Sequence, residues 1–145
     1  MDHFIDVSFD LDPTDPNVVV VTATPNPLPA RGLDPPSPRI EVKPGDTVIW
    51  RFNPKNVEGK NLEVKFKAVL DLTIAGSKRQ PLAHPGPFSS LTTSSNQVQG
   101  SIHSTVPQDI GASKRFIYDI LVNGARATWA GAFIDGGIDI PRTPP

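Results

Sequence analysis

Apolar and polar residues alternate with a period of two along much of the chain, the pattern of half-buried β-strands. Ile5, Val7, Phe9 and Leu11 share one parity, with Asp6, Ser8 and Asp10 on the other. Asn17 to Thr24 (NVVVVTAT) is a β-branched run and predicts a more deeply buried strand. Val48, Trp50 and Phe52 face one way, and Thr47, Ile49 and Arg51 the other. The longest alternation groups Leu62, Val64, Phe66, Ala68, Leu70, Leu72 and Ile74 against Glu63, Lys65, Lys67, Asp71 and Thr73. Val98, Ile102 and Val106 predict a shorter strand near 97–106. Residues 24–38 (TPNPLPARGLDPPSP) have no periodicity and read as an irregular loop, and a second loop is expected from Gly76 to about Asn96.

Asn123-Gly124 lies between two alternating runs, as expected of a two-residue type I′ hairpin. With Val122 opposite Ala125, the register places Lys114, Phe116, Tyr118, Ile120 and Val122 on one face with Ala127, Trp129, Gly131, Phe133 and Asp135. That face reads as core. With no internal repeat and no convincing amphipathic helix, about seven or eight short strands predict an all-β, two-sheet antiparallel sandwich with long Pro-rich loops. A single domain over residues 1–145 fits the length.

Composition sharpens this picture. Pro supplies 17 of 145 residues, more than twice the usual ~5%, so long helices are disfavoured and turns favoured. Fourteen basic residues against 15 acidic ones leave a net charge of −1, which gives no general attraction to nucleic acid or an anionic membrane. There is no apolar stretch of bilayer length, and the acidic start MDHFIDVSFDLDP does not read as a secretory signal, so a cytoplasmic location is expected. The chain has no Cys and a single Met, at position 1. Disulfides are thereby excluded, and no cofactor or metal is expected.

Three stretches carry a resemblance: RIEVKPGDTVIWRF at 39–52, NLEVKF at 61–66 and KRFIYDILV at 114–122. Together they resemble the small blue copper proteins, the cupredoxins, and imply a cupredoxin-like or immunoglobulin-like sandwich. Type 1 copper needs a Cys thiolate and two His imidazoles. Where the resemblance would place the first His stand Leu62 and Glu63, and where it would place the Cys, after Tyr118, stand Asp119 and Ile120. The resemblance therefore implies the sandwich without the copper. A second set, DPNVVVVTATP at 15–25, the Lys43-Pro44 turn and FIDGGIDIP at 133–141, resembles the small bacterial DP-EP family of β-sandwich proteins. That resemblance implies self-processing, in which a chain is cut at an Asp near its C-terminus and the Asp is linked to a Lys side chain.

Asp135-Gly136 offers such chemistry on its own terms. Gly imposes little bulk around the Asp carbonyl and permits unusual backbone geometry. In the expected hairpin register Lys114 sits opposite Phe133, so Asp135 lies diagonally across on the same face. Burial there would let a neutral amine face a neutral carboxylic acid, and the pair could condense. Asp119 falls on the opposite face in this register, which leaves no clear proton carrier. The plainer reading is a Lys114–Asp135 ion pair at the rim of the sheet.

Other candidates are weaker. His3, His84 and His103 belong to different elements and do not predict a metal site, although His84 in LAHPGP is placed to line a pocket. Ser89, Ser90, Ser94 and Ser95 lack a nucleophile-elbow setting. Trp50 and Trp129 alternate with core residues and read as packing rather than as ligand platforms. The Pro-rich loop 24–38 is a candidate for partner binding in extended form. The Pro-rich end IPRTPP is expected to pack on the body or on a second copy, which points to self-association. The expected function is a non-catalytic binding or structural module without copper, with self-cleavage or crosslinking at Asp135 as the alternative.

Overall fold

The computed structural model describes residues 1–15, 17–24, 39–72, 78–102, 114–130 and 135–141. All their regular structure is β. The strands are β1 (Asp2–Leu11), β2 (Val19–Thr24), β3 (Arg39–Glu41), β4 (Thr47–Phe52), β5 (Leu62–Asp71), β6 (Gln80–Pro81), β7 (Thr92–Ser94), β8 (Gln97–Ser101), β9 (Lys114–Val122), β10 (Ala125–Arg126), β11 (Thr128–Trp129) and β12 (Gly136–Ile140). One sheet runs β11-β2-β1-β4-β8-β7; the other runs β3-β12-β9-β5-β6, with β10 added to β9. No described helix is long and apolar enough to cross a membrane.

Both sheets are mixed, which corrects the expectation of purely antiparallel pairing. β1 runs parallel to β4, β2 to β11, and β3 to β12. Parallel neighbours need crossover connections, and the chain supplies them by changing sheets. Lys43-Pro44-Gly45-Asp46 is such a crossing. Its turn closes with the Asp46 N–H on the Lys43 carbonyl at 3.0 Å, and Gly45 has φ +87°. Pro at the second position and Gly with positive φ at the third fit a type II turn. It carries the chain from β3 in one sheet to β4 in the other rather than closing a hairpin.

The two sheets share one core. Ile5, Val7 and Phe9 of β1 are buried as their alternation predicts, while Leu11, expected beside them, is 43% exposed. Among the described side chains of β2 only Val21 is fully buried, with Val19 and Val20 half-buried, so that strand is shallower than its β-branched run suggested. Trp50 of β4 stands at the centre. Its ring lies 5.4 Å from Tyr118 of β9, 6.2 Å from Phe66 of β5 and 5.7 Å from Phe88. Trp129 joins the cluster through Tyr118 at 6.0 Å. Edge-on pairs of this kind each contribute about 0.5–1.5 kcal/mol beyond simple burial. Both Trp side chains are therefore packing residues, as the sequence indicates.

Two registers differ from expectation. In β5 a bulge between Phe66 and Ala68 shifts the pairing with β9, so Val69 stands opposite Phe116 and Ala68 opposite Ile117. An extra residue reverses which side chains face inward. Ala68 and Leu70 consequently leave the main core and form a second buried cluster with Ile117, with Leu72 packed on it. The expected second loop also contains β6 and β7.

The Asn123-Gly124 hairpin has the predicted register, with Ala125 opposite Val122 and Arg126 opposite Leu121. Both turn residues have positive φ, 50° and 79°, as type I′ requires. The pairing then ends. After Ala127 the chain crosses to the first sheet, where Trp129 pairs with Val21 of β2. The strand that flanks β9 is β12, with Gly136 opposite Tyr118 and Ile140 opposite Lys114. Phe133, the expected partner of Lys114, lies outside the described residues, as do His103, most of the loop 24–38 and the end of the chain.

Candidate functional site

Lys114 and Asp135 are not brought together as a pair. In the β9–β12 register Asp135 precedes Gly136 and falls on the outer face of the sheet, whereas Lys114 shares the parity of Phe116 and Tyr118. The Lys114 ammonium lies 3.4 Å from Asp71 instead. The extended hairpin that would have joined them is interrupted by the departure of β11.

Asp135 nevertheless sits in a charged cluster. Its side chain is almost fully buried. Arg79 holds both carboxylate oxygens, Nη1 to Oδ2 at 2.6 Å and Nη2 to Oδ1 at 3.3 Å. Lys67, the residue of the β5 bulge, places Nζ 3.7 Å from Asp135 Oδ2 and 2.9 Å from Asp119 Oδ1. Arg126 reaches the same Asp119 oxygen at 2.9 Å. Asp119 is thus on the same face as Asp135, contrary to the expected register. Sequence reasoning missed Lys67 and Arg79. The alternation of Glu63, Lys65 and Lys67 gave Lys67 its outward direction, but nothing local indicated which carboxylate it would meet.

Gly136 has a packing reason to be Gly. A Cβ there would fall inside the Tyr118 ring, with Cε2 and Oη each at 2.6 Å. Tyr118 is enclosed, and burial first, then the nearby Asp135 charge, pushes its phenol well above its ordinary value. It stays neutral across the physiological range.

A second feature is a cleft of about 690 Å³ between β5 and β7, which among the described residues lie at the same side of the two sheets. One wall is the start of β5, from Asn61 to Val64; the other is the β7–β8 hairpin, including Thr93 to Val98. Its size lies within the range typical of ligand sites, about 300–1,000 Å³. The lining mixes amide and hydroxyl side chains with apolar Phe52, Leu62, Val64, Leu91 and Val98, and Lys60 and Glu63 are its charged members. His84 also lines it, as its loop position suggested, and so do Ser94 and Ser95.

His84 is fixed at the cleft by the backbone of β5. The Phe66 N–H donates to His84 Nδ1 at 3.2 Å. Nδ1 is therefore the acceptor, and the neutral ring carries its proton on Nε2. Burial first, and then the charge of Lys65, lower the His84 pKa; Glu63 opposes them. The ring is accordingly a neutral donor group rather than a cation.

His3 serves elsewhere. Its Nε2 lies 2.8 Å from Asp46 Oδ2, and the Lys43 N–H donates to the same oxygen at 3.0 Å. Burial alone would push the Asp46 carboxyl up; these contacts and the Met1 ammonium outweigh it and lower it to about 2. Among the described residues no three His, Asp or Glu side chains are grouped to hold a metal ion. No protein-family model matches the chain, and no curated protein matches it either, so its functional reading rests on the cleft and the charged cluster.

Proposed function

We propose that this chain is a copper-free, cupredoxin-like β-sandwich acting as a binding module, with the cleft between β5 and the β7–β8 hairpin as its ligand site. One observation carries the reading: a polar cleft of about 690 Å³ bordered by edges of both sheets that are unpaired among the described residues, and by a neutral His84. Such a site suits a ligand recognised by many neutral hydrogen bonds rather than by charge. Among the described residues no hydroxyl of the lining is hydrogen-bonded to His84 or Glu63, so the cleft holds no assembled nucleophile and base, which favours binding over catalysis. The test is direct. Peptide and glycan arrays probed with wild type and with Ser94→Trp, which fills the cleft mouth from an exposed position, should show binders lost in the variant. Binders retained by the variant, or none at all, would sink the reading.

A second reading is favoured by a different observation. Lys67 Nζ stands 3.7 Å from the buried Asp135 carboxylate while Asp119 holds the same amine at 2.9 Å. This arrangement supplies the amine, the carboxyl and the proton carrier that Lys114 could not. Condensation would join Lys67 Nζ to the Asp135 side-chain carbon and release water. Arg79 opposes it by engaging both Asp135 oxygens in a two-pronged pair that condensation would have to break. The binding reading therefore stands first. Intact-mass measurement of wild type and Asp135→Ala decides the second: loss of one water, or a fragment beginning at Gly136, must occur in wild type alone.

A further inference from the structure

We infer that the occupant of the cleft is an extended polypeptide segment that adds as a strand to the open edge of β5 at Leu62 and Val64. This rests on the cleft being a binding site and names its ligand class.

The direction of the backbone groups defines the open positions of β5. In an antiparallel ladder, alternate residues bond to the neighbour and the others turn their N–H and C=O the opposite way. The Asn123 N–H donates to the Asn61 carbonyl at 2.8 Å while Leu62 stands opposite Val122. Glu63 and Lys65 are thereby the residues bonded to β9, and Leu62, Val64 and Phe66 turn outward. Phe66 confirms the direction, because its N–H meets His84 Nδ1 on that side. β6 covers β5 only at Ala68 and Val69. Among the described residues the N–H and C=O groups of Leu62 and Val64 have no partner, and both residues line the cleft.

The facing wall has the same character. The Phe52 N–H donates to the Asn96 carbonyl at 2.8 Å beside the Arg51–Gln97 pair, which turns the backbone of Gln97 toward β7. Ser94 then bonds Gln97, and Thr93 between the bonded pairs turns its backbone away from β8. The cleft is therefore edged by open ladder positions on both sides. A glycan can use side-chain amides, but a peptide strand matches backbone donors and acceptors at the repeat of the ladder itself.

Side chains set the preferred sequence. A strand beside Leu62 and Val64 directs alternate side chains inward, toward buried Val98 and Phe52, and the others outward beside exposed Glu63 and Lys65. The inferred ligand alternates small apolar with polar residues, and a basic residue opposite Glu63 is favoured.

The experiment is selection from a random peptide library on the intact protein, followed by amide exchange and N-methylation of the selected peptide. The expected result is alternating sequences that slow exchange of the Leu62 and Val64 amides. N-methylation at one set of alternate residues should weaken binding about tenfold, with little effect at the other set. Equal tolerance of both sets, or unchanged exchange at Leu62 and Val64, overturns strand addition. If glycans bind instead and Ser94→Trp abolishes that binding, the cleft reading survives and strand addition fails. If neither class binds, both fail.

Discussion

Both faces of the sheet built on β9 bury side chains, yet the buried parts are held by different forces. The inner face is apolar and aromatic: Phe66, Phe116, Tyr118, Ile120 and Ile138 pack toward Trp50. The outer face places Arg115 and Asp139, 2% and 5% exposed, beside Ala68, Leu70 and Ile117. Arg115 Nε and Nη2 donate to the two Asp139 oxygens at 2.8 and 3.2 Å. Inner contacts are non-directional and scale with area removed from water. A buried ion pair instead repays its desolvation only while the geometry holds, and is easier to break than to replace. Equal burial thus hides unequal tolerance to change.

The largest expected effect is on the inner face. Phe66→Ala empties the space between Trp50, Phe88 and Tyr118 and should cost about 3–5 kcal/mol in denaturant unfolding. A cost under about 1 kcal/mol would mean the aromatic cluster is not the keystone of the core. On the outer face, Asp139→Ala should cost about 3 kcal/mol, whereas Arg115→Met combined with Asp139→Leu should recover most of it. A double variant as unstable as the single one would break the contrast. Gly136→Ala tests the junction of the faces, because its methyl group enters the Tyr118 ring; the expected loss is about 2 kcal/mol.

The smallest effect lies off this sheet and isolates electrostatics from packing. The Asp46 carboxyl is lowered from 3.8 to about 2 in the folded chain. A depressed folded value means the stabilisation is present above the unfolded value and disappears as pH falls toward 2. After screening, about 1 kcal/mol should separate wild type from Asp46→Asn near neutrality. Unfolding curves for the two should converge as pH is lowered from about 5 to about 2. A gap independent of pH would show that packing, not charge, holds the turn to β1.

Much of the inner face was legible because alternation reports burial where one side of a strand meets solvent. Leu62, Val64 and Phe66 show this against exposed Glu63 and Lys65, as do Ile5, Val7 and Phe9 of the facing sheet against exposed Asp6 and Ser8. The β5 bulge was not legible, because Ala68 and Leu70 are apolar and remain buried after turning outward into a second cluster. Hydrophobicity is blind to which of two buried sides a residue occupies. The crossing of Trp129 was masked similarly: an alternating strand reads the same whether it stays with β9 or joins β2. The Asn-Gly turn was readable because positive φ at two successive positions is a local demand. The company of Asp135 was not, since Arg79 lies 56 positions away and Lys67 is aimed by the bulge. His84 was placed at a pocket by its loop, but its attachment to Phe66 N–H depends on the open edge of β5.

The bulge at Lys67 acts as a frameshift within a strand. Upstream, even-numbered residues of β5 address the aromatic core; downstream, Ala68 and Leu70 address the other side, and the odd-numbered Val69 takes the inward place. Substitution can vary the letters on either side of that point, and deleting Lys67 would leave a regular ladder in which Ala68, Val69 and Leu70 keep their present partners and directions. Were Lys67 instead taken into the ladder opposite Ile117, Ala68 and Leu70 would turn inward and Val69 outward. The one unpaired residue, rather than the composition of the strand, therefore decides which side its downstream half addresses.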